Sequence, residues 1–344
     1  MKLSALPTRH IGDTGIEVTT LGFGGASIGN LYRAISDEQA RATVLAALDE
    51  GMNFFDTAPH YGQGLSESRL GNALAGVKQN VVLSTKVGRV LKRIRRPPPG
   101  TERWGFVDGL PYEPVFDYSY DGVMKSFVSS LRRLRVKKVD ILLAHDLGRA
   151  THGDQHQQHW KTFVEGGYRA MCELKQQGVV RAIGLGVNEW QVCMQALQYL
   201  DVDVFLLAGR YTLLEQEPLD NLLPECQRRK VAIVLGGPFN SGILINGVRG
   251  GSASYYNYAP AVPGIIERVN AIQAICDAHY VPLAAAALAF PLAHPAVVSV
   301  IPGQADVKQV QAARHWSQFS IPAAFWRDLR SAGLLHPLAP VPTP

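Results

Sequence analysis

Four stretches of this chain repeat one pattern: Gly51-Met52-Asn53-Phe54-Phe55-Asp56, Val81-Val82-Leu83-Ser84-Thr85-Lys86, Val139-Asp140-Ile141-Leu142-Leu143-Ala144-His145 and Ala182-Ile183-Gly184-Leu185-Gly186-Val187-Asn188. Each is a short, mostly apolar run closed by a polar residue of the kind chemistry needs. Runs rich in Val, Ile, Leu and Phe with little alternation read as strands buried on both faces. If they lie parallel, their terminal polar groups converge on one rim.

Working outward, strand signals fall at 17–24, 51–56, 80–86, 139–144, 181–187, 203–207, 231–236 and 297–301. Helical signals alternate with them at 37–50, 66–76, 119–134, 160–177, 189–198 and 216–229. Further helical signals fall at 264–278, 283–290, 306–315 and 322–332. Ser36 is placed to cap the first helix. Alternation argues for an α/β fold with a parallel sheet, and eight strands favour closure into a (β/α)8 TIM barrel. The expectation is one domain over 1–344. The competing architecture is an open doubly wound sheet, but Gly22-Phe23-Gly24-Gly25-Ala26-Ser27 misses the third glycine of its GxGxxG fingerprint. Two stretches interrupt the alternation, 87–118 and 245–262. Both follow strand ends and should stand over the rim, where long loops are commonly functional. The first carries Trp104, Phe106, Tyr112 and Phe116. The second carries Gly250, Gly251, Ser252, Tyr255, Tyr256 and Tyr258. A tail follows from about 333.

The chain has 344 residues, 47% hydrophobic and 18% charged, with a net charge of +5. That is ordinary globular composition, with enough apolar residues for a large core. Part of the positive excess sits in Lys92-Arg93-Ile94-Arg95-Arg96, either a solvated loop or an anion-attracting rim. No zinc spacing, RNP-type motif or long basic helix points to nucleic acid. Cys172, Cys193, Cys226 and Cys276 lack CxxC spacing, fall in helical stretches and read as reduced, packed thiols. The first residues have no apolar core of signal-peptide length. The apolar stretch from 282 to 301 is broken by Pro291, His294 and Pro295, against a membrane span. The expected location is the cytoplasm, and oligomeric state is not readable.

Tyr61 follows Asp56 by five residues, so an acid, a phenol, an ammonium and an imidazole can surround one point. A tyrosine titrates near pH ~10 and serves at neutral pH only if a cation supports its phenolate. Lys86 can be that cation, held by Asp56, while His145 orients a substrate oxygen. Nothing resembles an activated nucleophile. Metal is the competing use, through Asp56, His60 and His145, but an ammonium beside those ligands would repel a cation. A second cluster, His152, His156 and His159 with Asp154, reads as polar groups facing solvent. Asn188 suits recognition of another amide, or an N-cap for helix 189–198. Gly236-Gly237-Pro238, followed by Phe239, offers a floor without side chains for a flat ring or a phosphate. The last strand ends Ile301-Pro302-Gly303-Gln304-Ala305-Asp306, a helix start that favours an anion.

Asp56-Thr57-Ala58-Pro59-His60-Tyr61-Gly62 with Ser66-Glu67, Ser84-Thr85-Lys86 and the strand ending in His145 resemble the signatures of the aldo-keto reductases over nearly the whole chain. The resemblance implies a tetrad of Asp56, Tyr61, Lys86 and His145, hydride transfer with NAD or NADP, and no metal or flavin. It implies cofactor contacts at Gly25, Ala26, Asp56, Asn188, Gly236, Gly237, Pro238, Phe239, Gly303, Gln304 and Gln309. His60, Trp104 and Phe106 would line the substrate site. Phe116–Met124, His145-Asp146-Leu147 with Thr151-His152-Gly153, and Ala208–Leu214 are similar to the D-threo-aldose 1-dehydrogenase branch, with its L-fucose, L-galactose and pyridoxal 4-dehydrogenases. That branch oxidises a cyclic hemiacetal to a lactone. An aldose is the first expectation here; pyridoxal, an NADPH-dependent carbonyl reduction or a redox-sensing subunit are alternatives. Three positions depart from the family pattern. Val187 stands where Ser precedes Asn, Ala208 where Gln is usual, and Gly236 where many members stack a Tyr on nicotinamide. Gln304, Ala305, Asp306 and Gln309 offer a 2′-phosphate no arginine, which favours NAD; Lys308 is the one nearby cation.

Overall fold

The computed structural model describes residues 5–249, 254–257 and 259–342. Its centre is a parallel sheet of eight strands: β1 (Phe23–Gly24), β2 (Phe54–Asp56), β3 (Val82–Val87), β4 (Ile141–His145), β5 (Ala182–Val187), β6 (Val204–Ala208), β7 (Ala232–Gly236) and β8 (Val297–Ile301). Each strand pairs with the next in sequence. Parallel bridges Leu21–Val300 and Gly24–Gly303 join the first strand to the last and close the barrel.

Around it run α1 (Asp37–Asp49), α2 (Leu65–Leu74), α3 (Tyr120–Leu134), α4 (Tyr168–Gln176), α5 (Gln191–Tyr199), α6 (Leu222–Arg229), α7 (Pro263–Ala278), α8 (Leu283–Leu292), α9 (Val307–Ser317) and α10 (Ala323–Ser331). Ser36 caps α1 by accepting from the Gln39 N–H. The fold expected from the sequence is the fold observed.

Side chains of a strand point alternately to its two faces. Phe54, Val82, Ile141, Leu143, Ala182, Val204, Leu206, Ala232 and Val234 form one cluster inside the barrel. Phe55, Leu83, Leu142, Ala144, Ile183, Leu185, Phe205 and Leu207 belong to the layer between barrel and helices. Both faces are therefore buried, which is why the sequence shows no alternation.

Four local expectations are corrected. The strand read at 17–24 is two pieces. Glu17–Thr19 pairs antiparallel with Thr8–His10, a strand the sequence reading missed, and the barrel takes only Phe23–Gly24 and the bridge at Leu21. Ile11, Ile16 and Val18 of that hairpin pack into the barrel interior and close its lower end. The helix read at 160–177 is interrupted by a π turn at Phe163–Gly167. There Gly166 and Gly167 let the chain pass close to the backbone of Tyr118 and Tyr120. The stretch 87–118 is not a plain loop: Arg89–Arg93 pairs with Tyr112–Phe116, and Glu102–Arg103 with Phe106–Val107. Asn188 caps nothing, since α5 begins three residues later at Gln191. In 245–262, Tyr255–Tyr256 pairs with Ala259–Pro260, while Gly250, Gly251, Ser252 and Tyr258 lie outside the described residues.

Candidate active site

Strand parity brings three of the expected polar residues together. Phe54 points into the barrel, so Asp56 two residues on does as well. The same count runs from Val82 through Ser84 to Lys86, and from Ile141 through Leu143 to His145. All three ends lie on the upper rim. Lys86 Nζ donates to Asp56 Oδ2 at 2.6 Å and to the Thr57 carbonyl at 2.9 Å. Ser84 Oγ donates to the other carboxylate oxygen, Oδ1, at 2.9 Å. Tyr61 follows β2; its ring centre is 4.8 Å from Lys86 Nζ and 5.9 Å from the His145 ring. Gly186 on β5 points inward, and a Cβ there would lie 3.1 Å from Lys86 Cε. Its missing side chain is the space the lysine occupies.

Burial sets the electrostatics. It pulls the Lys86 ammonium down, but Asp56 and Tyr61 outweigh it, so the lysine stays charged above its ordinary range. Burial pushes the Tyr61 phenol up; Lys86 pulls it back only in part, leaving it at about 12. The lysine therefore acts in the direction the sequence suggests, and burial still prevails. Burial, then Arg89 and Lys86, holds His145 well below the usual imidazole range, and the same three causes hold His60 at about 3. Both rings are neutral at physiological pH.

Two charged residues of this rim were given no role from the sequence, Arg89 and the Asp146 of the segment His145-Asp146-Leu147. Arg89 Nη2 donates to Asp146 Oδ2 at 2.7 Å, a pair that is almost fully buried. Asn188 Nδ2 donates to Asp146 Oδ1 at 3.2 Å. The signal was present: Arg89 follows Lys86 by three residues and Asp146 follows His145 directly.

A cavity of about 850 Å³ opens above this group. Tyr61, Lys86, His145, Asp146, Gly186 and Asn188 form its floor, and Ala26, Leu31, Tyr32, Leu206, Ala208 and Ser241 line its sides. The expected substrate residues His60, Trp104 and Phe106 all line it, joined by Glu102 and Tyr255. The His60 ring meets Phe106 edge-on at 5.5 Å.

Comparison with known proteins agrees with this geometry. The sequence matches the Aldo/keto reductase family over residues 20–333. The chain belongs to that family. It is 45% identical to a pyridoxal 4-dehydrogenase of Microbacterium luteolum, across 97% of this chain and 100% of that one. It is 36% identical to a D-threo-aldose 1-dehydrogenase of a Pseudomonas species, across 96% and 97%. The holo structure of an aldo-keto reductase from Bacillus halodurans superposes with a TM-score of 0.74 at 25% identity, covering 98% of each chain. As an aldo-keto reductase, this protein is an NAD(P)-dependent oxidoreductase.

The rim fits such a cofactor. Gln304, 1% exposed, leaves both amide atoms without a protein partner, and Asn240 Oδ1 is buried and unpaired as well. Buried polar atoms are rarely left so unless a ligand or water meets them. Gly237 and Gly303 are exposed. Not every expected contact faces this way. The Phe239 ring is buried against Trp316 of α9, 6.1 Å away, so it is not the ring that replaces the missing aromatic at Gly236. Gln309 Oε1 accepts from the Ala305 N–H and its own N–H donates to Asp306, which ties the residue into the cap of α9. Gly25 supports the floor: its carbonyl accepts from Ser66 Oγ at 2.7 Å, and its N–H donates to the Asp56 carbonyl. Pro238 is buried behind the exposed Gly237.

The histidine cluster has other work. His156 is buried, not on the surface, with contacts to the Leu147 carbonyl and Gln195. His152 meets the Tyr118 hydroxyl at 2.9 Å and its ring lies 4.1 Å from His159. Asp154 is exposed and pairs with Arg149. Cys193, Cys226 and Cys276 are buried and Cys172 half-buried, all as free thiols in helices. Among the described residues no single helix is long and apolar enough to cross a membrane.

Proposed function

We propose that this chain works as one unit that oxidises the hydroxyl of a small cyclic hemiacetal to a lactone with NAD, and that the substrate is a flat aromatic one of the pyridoxal type. The observation that carries the aromatic reading is what the two rim stretches deliver. Segments 87–118 and 245–262 contribute Trp104, Phe106 and Tyr255 to the cavity, and Glu102 as their one charged group among the described residues. A polyhydroxylated sugar would leave several hydroxyls without partners against such walls, at a cost of about 1–3 kcal/mol each. The 45% identity to a pyridoxal 4-dehydrogenase supports the same substrate class.

In this reading Tyr61 Oη takes the hydroxyl proton while the carbon–hydrogen bond is broken. Bound NAD supplies the hydride acceptor. Lys86 stabilises the phenolate, Asp56 keeps Lys86 charged and fixed, and neutral His145 hydrogen-bonds the substrate oxygen. Ala26, Asn188, Gly237, Gly303 and Gln304 hold the cofactor, over a floor that Gly25 and Gly236 leave free of side chains. NAD over NADP rests on charge. Asp306 is the cap of α9, and the guanidinium beside it, Arg33, is engaged with that carboxylate at 3.4 Å.

An aldose is the second reading. It is supported by the 36% identity to a D-threo-aldose 1-dehydrogenase and by Asp146, Asn188 and Ser241 on the barrel side of the cavity. The test is reduced-cofactor formation with NAD and NADP against pyridoxal, L-fucose, L-galactose and D-arabinose. The expected result is turnover of pyridoxal with NAD, with kcat/KM about tenfold or more above any sugar. Turnover of sugars alone would overturn the aromatic assignment and leave the hydride transfer. Silence on all four with cofactor bound would overturn the dehydrogenase reading in favour of carbonyl reduction or a redox-sensing role.

A further inference from the structure

The second ion pair of the rim sits at two abrupt turns of the chain. Gly88 separates Val87, the last residue of β3, from Arg89, and adopts φ +98°. A Cβ at Gly88 would lie 2.3 Å from the Tyr118 ring, so the turn tolerates no side chain. It folds Arg89 back over the rim, where its guanidinium lies 4.5 Å from the Phe116 ring centre. Its partner Asp146 adopts φ +51°, a left-handed conformation that costs a residue with a side chain on the order of 1 kcal/mol or more. Four contacts hold Asp146 in it. Arg89 and Asn188 take its two carboxylate oxygens, its N–H donates to the Gly186 carbonyl at 2.9 Å, and its carbonyl accepts from Tyr118 Oη at 3.2 Å.

Between these two charges lies His145. Arg89 Nη1 is 3.5 Å from His145 Nδ1, and Asp146 Oδ2 is 3.6 Å from Nε2. A guanidinium has donors and no acceptor. Facing it, Nδ1 must accept, so the ring proton resides on Nε2, the nitrogen beside the carboxylate. We propose that Arg89, paired with Asp146, is a positioning residue that fixes His145 as the neutral tautomer protonated on Nε2.

The remaining groups facing the ring are Lys86, Tyr61 and His60, and Tyr118 Oη donates to the His145 carbonyl at 2.7 Å. Lys86 and Arg89 both disfavour an imidazolium, while Asp146 alone would favour one. Pairing Asp146 to Arg89 cancels that pull. Removal of the guanidinium leaves an uncompensated carboxylate next to Nε2, which pulls the imidazole upward against the burial and Lys86 that hold it down. The inference rests on the proposed function for what His145 does, but its central readout needs no substrate.

The test uses protein labelled with 15N-histidine. Long-range proton–nitrogen spectra give the protonation state of each ring, and His145→Gln assigns the signal. In the wild type His145 is expected neutral, protonated on Nε2, from pH 8 to 5.5. In Arg89→Met its titration is expected to move upward into the observable range, against the burial and the Lys86 charge that remain. The kcat/KM profile then gains an acid limb and kcat falls roughly tenfold. Arg89→Lys keeps the charge and should keep His145 neutral, with most activity regained. Should Arg89→Met fail to fold, Arg89→Lys and Asp146→Asn carry the test, both with His145 neutral. A wild-type proton on Nδ1, or an Arg89→Met variant with unchanged spectra and pH profile, would overturn the inference. Expected spectra without turnover of any hemiacetal would overturn the proposed function instead.

Discussion

At the scale of the residue, the site depends on small groups as much as on charged ones. Lys86 reaches Asp56 and Tyr61 because Gly186 leaves the inward position of β5 empty. The Gly186 backbone does not require glycine, since its φ is not among the positive values. Gly186→Ala should therefore fold, at a cost of about 1–3 kcal/mol from overpacking. Its methyl, 3.1 Å from Lys86 Cε, must displace the ammonium by a few tenths of an ångström. We expect kcat to fall about tenfold or more, since displacements of this size cost orders of magnitude in rate. A thermal melt alongside steady-state kinetics checks it. A variant with wild-type kcat would show that the lysine does not need that space.

At the scale of the element, the eight barrel strands were legible because each is a short apolar run next to a helical one. Apart from the first, which keeps only Phe23–Gly24 of the expected 17–24, their ends shift by at most three residues. What the runs could not reveal is which face points inward, since both faces are apolar. Parity became countable only once Phe54, Val82 and Ile141 were seen in the interior cluster. The hairpin at Thr8–His10 and Glu17–Thr19 was missed because its partners are three residues long and lie outside the alternation. The hairpin at Arg89–Arg93 and Tyr112–Phe116 was hidden by its charge: Lys92 and Arg93 lie on an exposed face and read as a loop. Asp56, Lys86 and His145 were legible because they close three runs alike, and Tyr61 because it follows Asp56 by five residues. Arg89 and Asp146 were not assigned, because they sit three residues and one residue past such ends, at turns no periodicity announces. The Phe239 ring was misplaced for the opposite reason. Sequence adjacency placed it at the rim, and packing turned it toward Trp316.

At the scale of the whole molecule, the closed barrel buries imidazoles as well as apolar side chains. Burial, foremost, holds His145 well below its ordinary range, His60 at about 3 and His294 at about 4. The unfolded chain takes up those protons near pH ~6.5, whereas the folded chain does not. Between these values the unfolded state binds more protons, so stability falls as pH drops. Asp56 and Asp146, pushed up by burial, act in the opposite sense, but each is paired with a buried cation, Lys86 or Arg89, that opposes the rise. Melting temperature should therefore decline steadily from pH 7.5 to 5.5. A flat profile over that range would mean that the histidines are protonated in the fold.

The claim on which the rest depends is that Tyr61 moves the proton. Its phenol is held at about 12 by burial against the pull of Lys86, so proton transfer there is governed by the group around it. The measurement is turnover by Tyr61→Phe with its best substrate, alongside cofactor affinity by fluorescence titration. The account predicts a loss of about a hundredfold or more in kcat with cofactor affinity unchanged. Near wild-type turnover in that variant would contradict it.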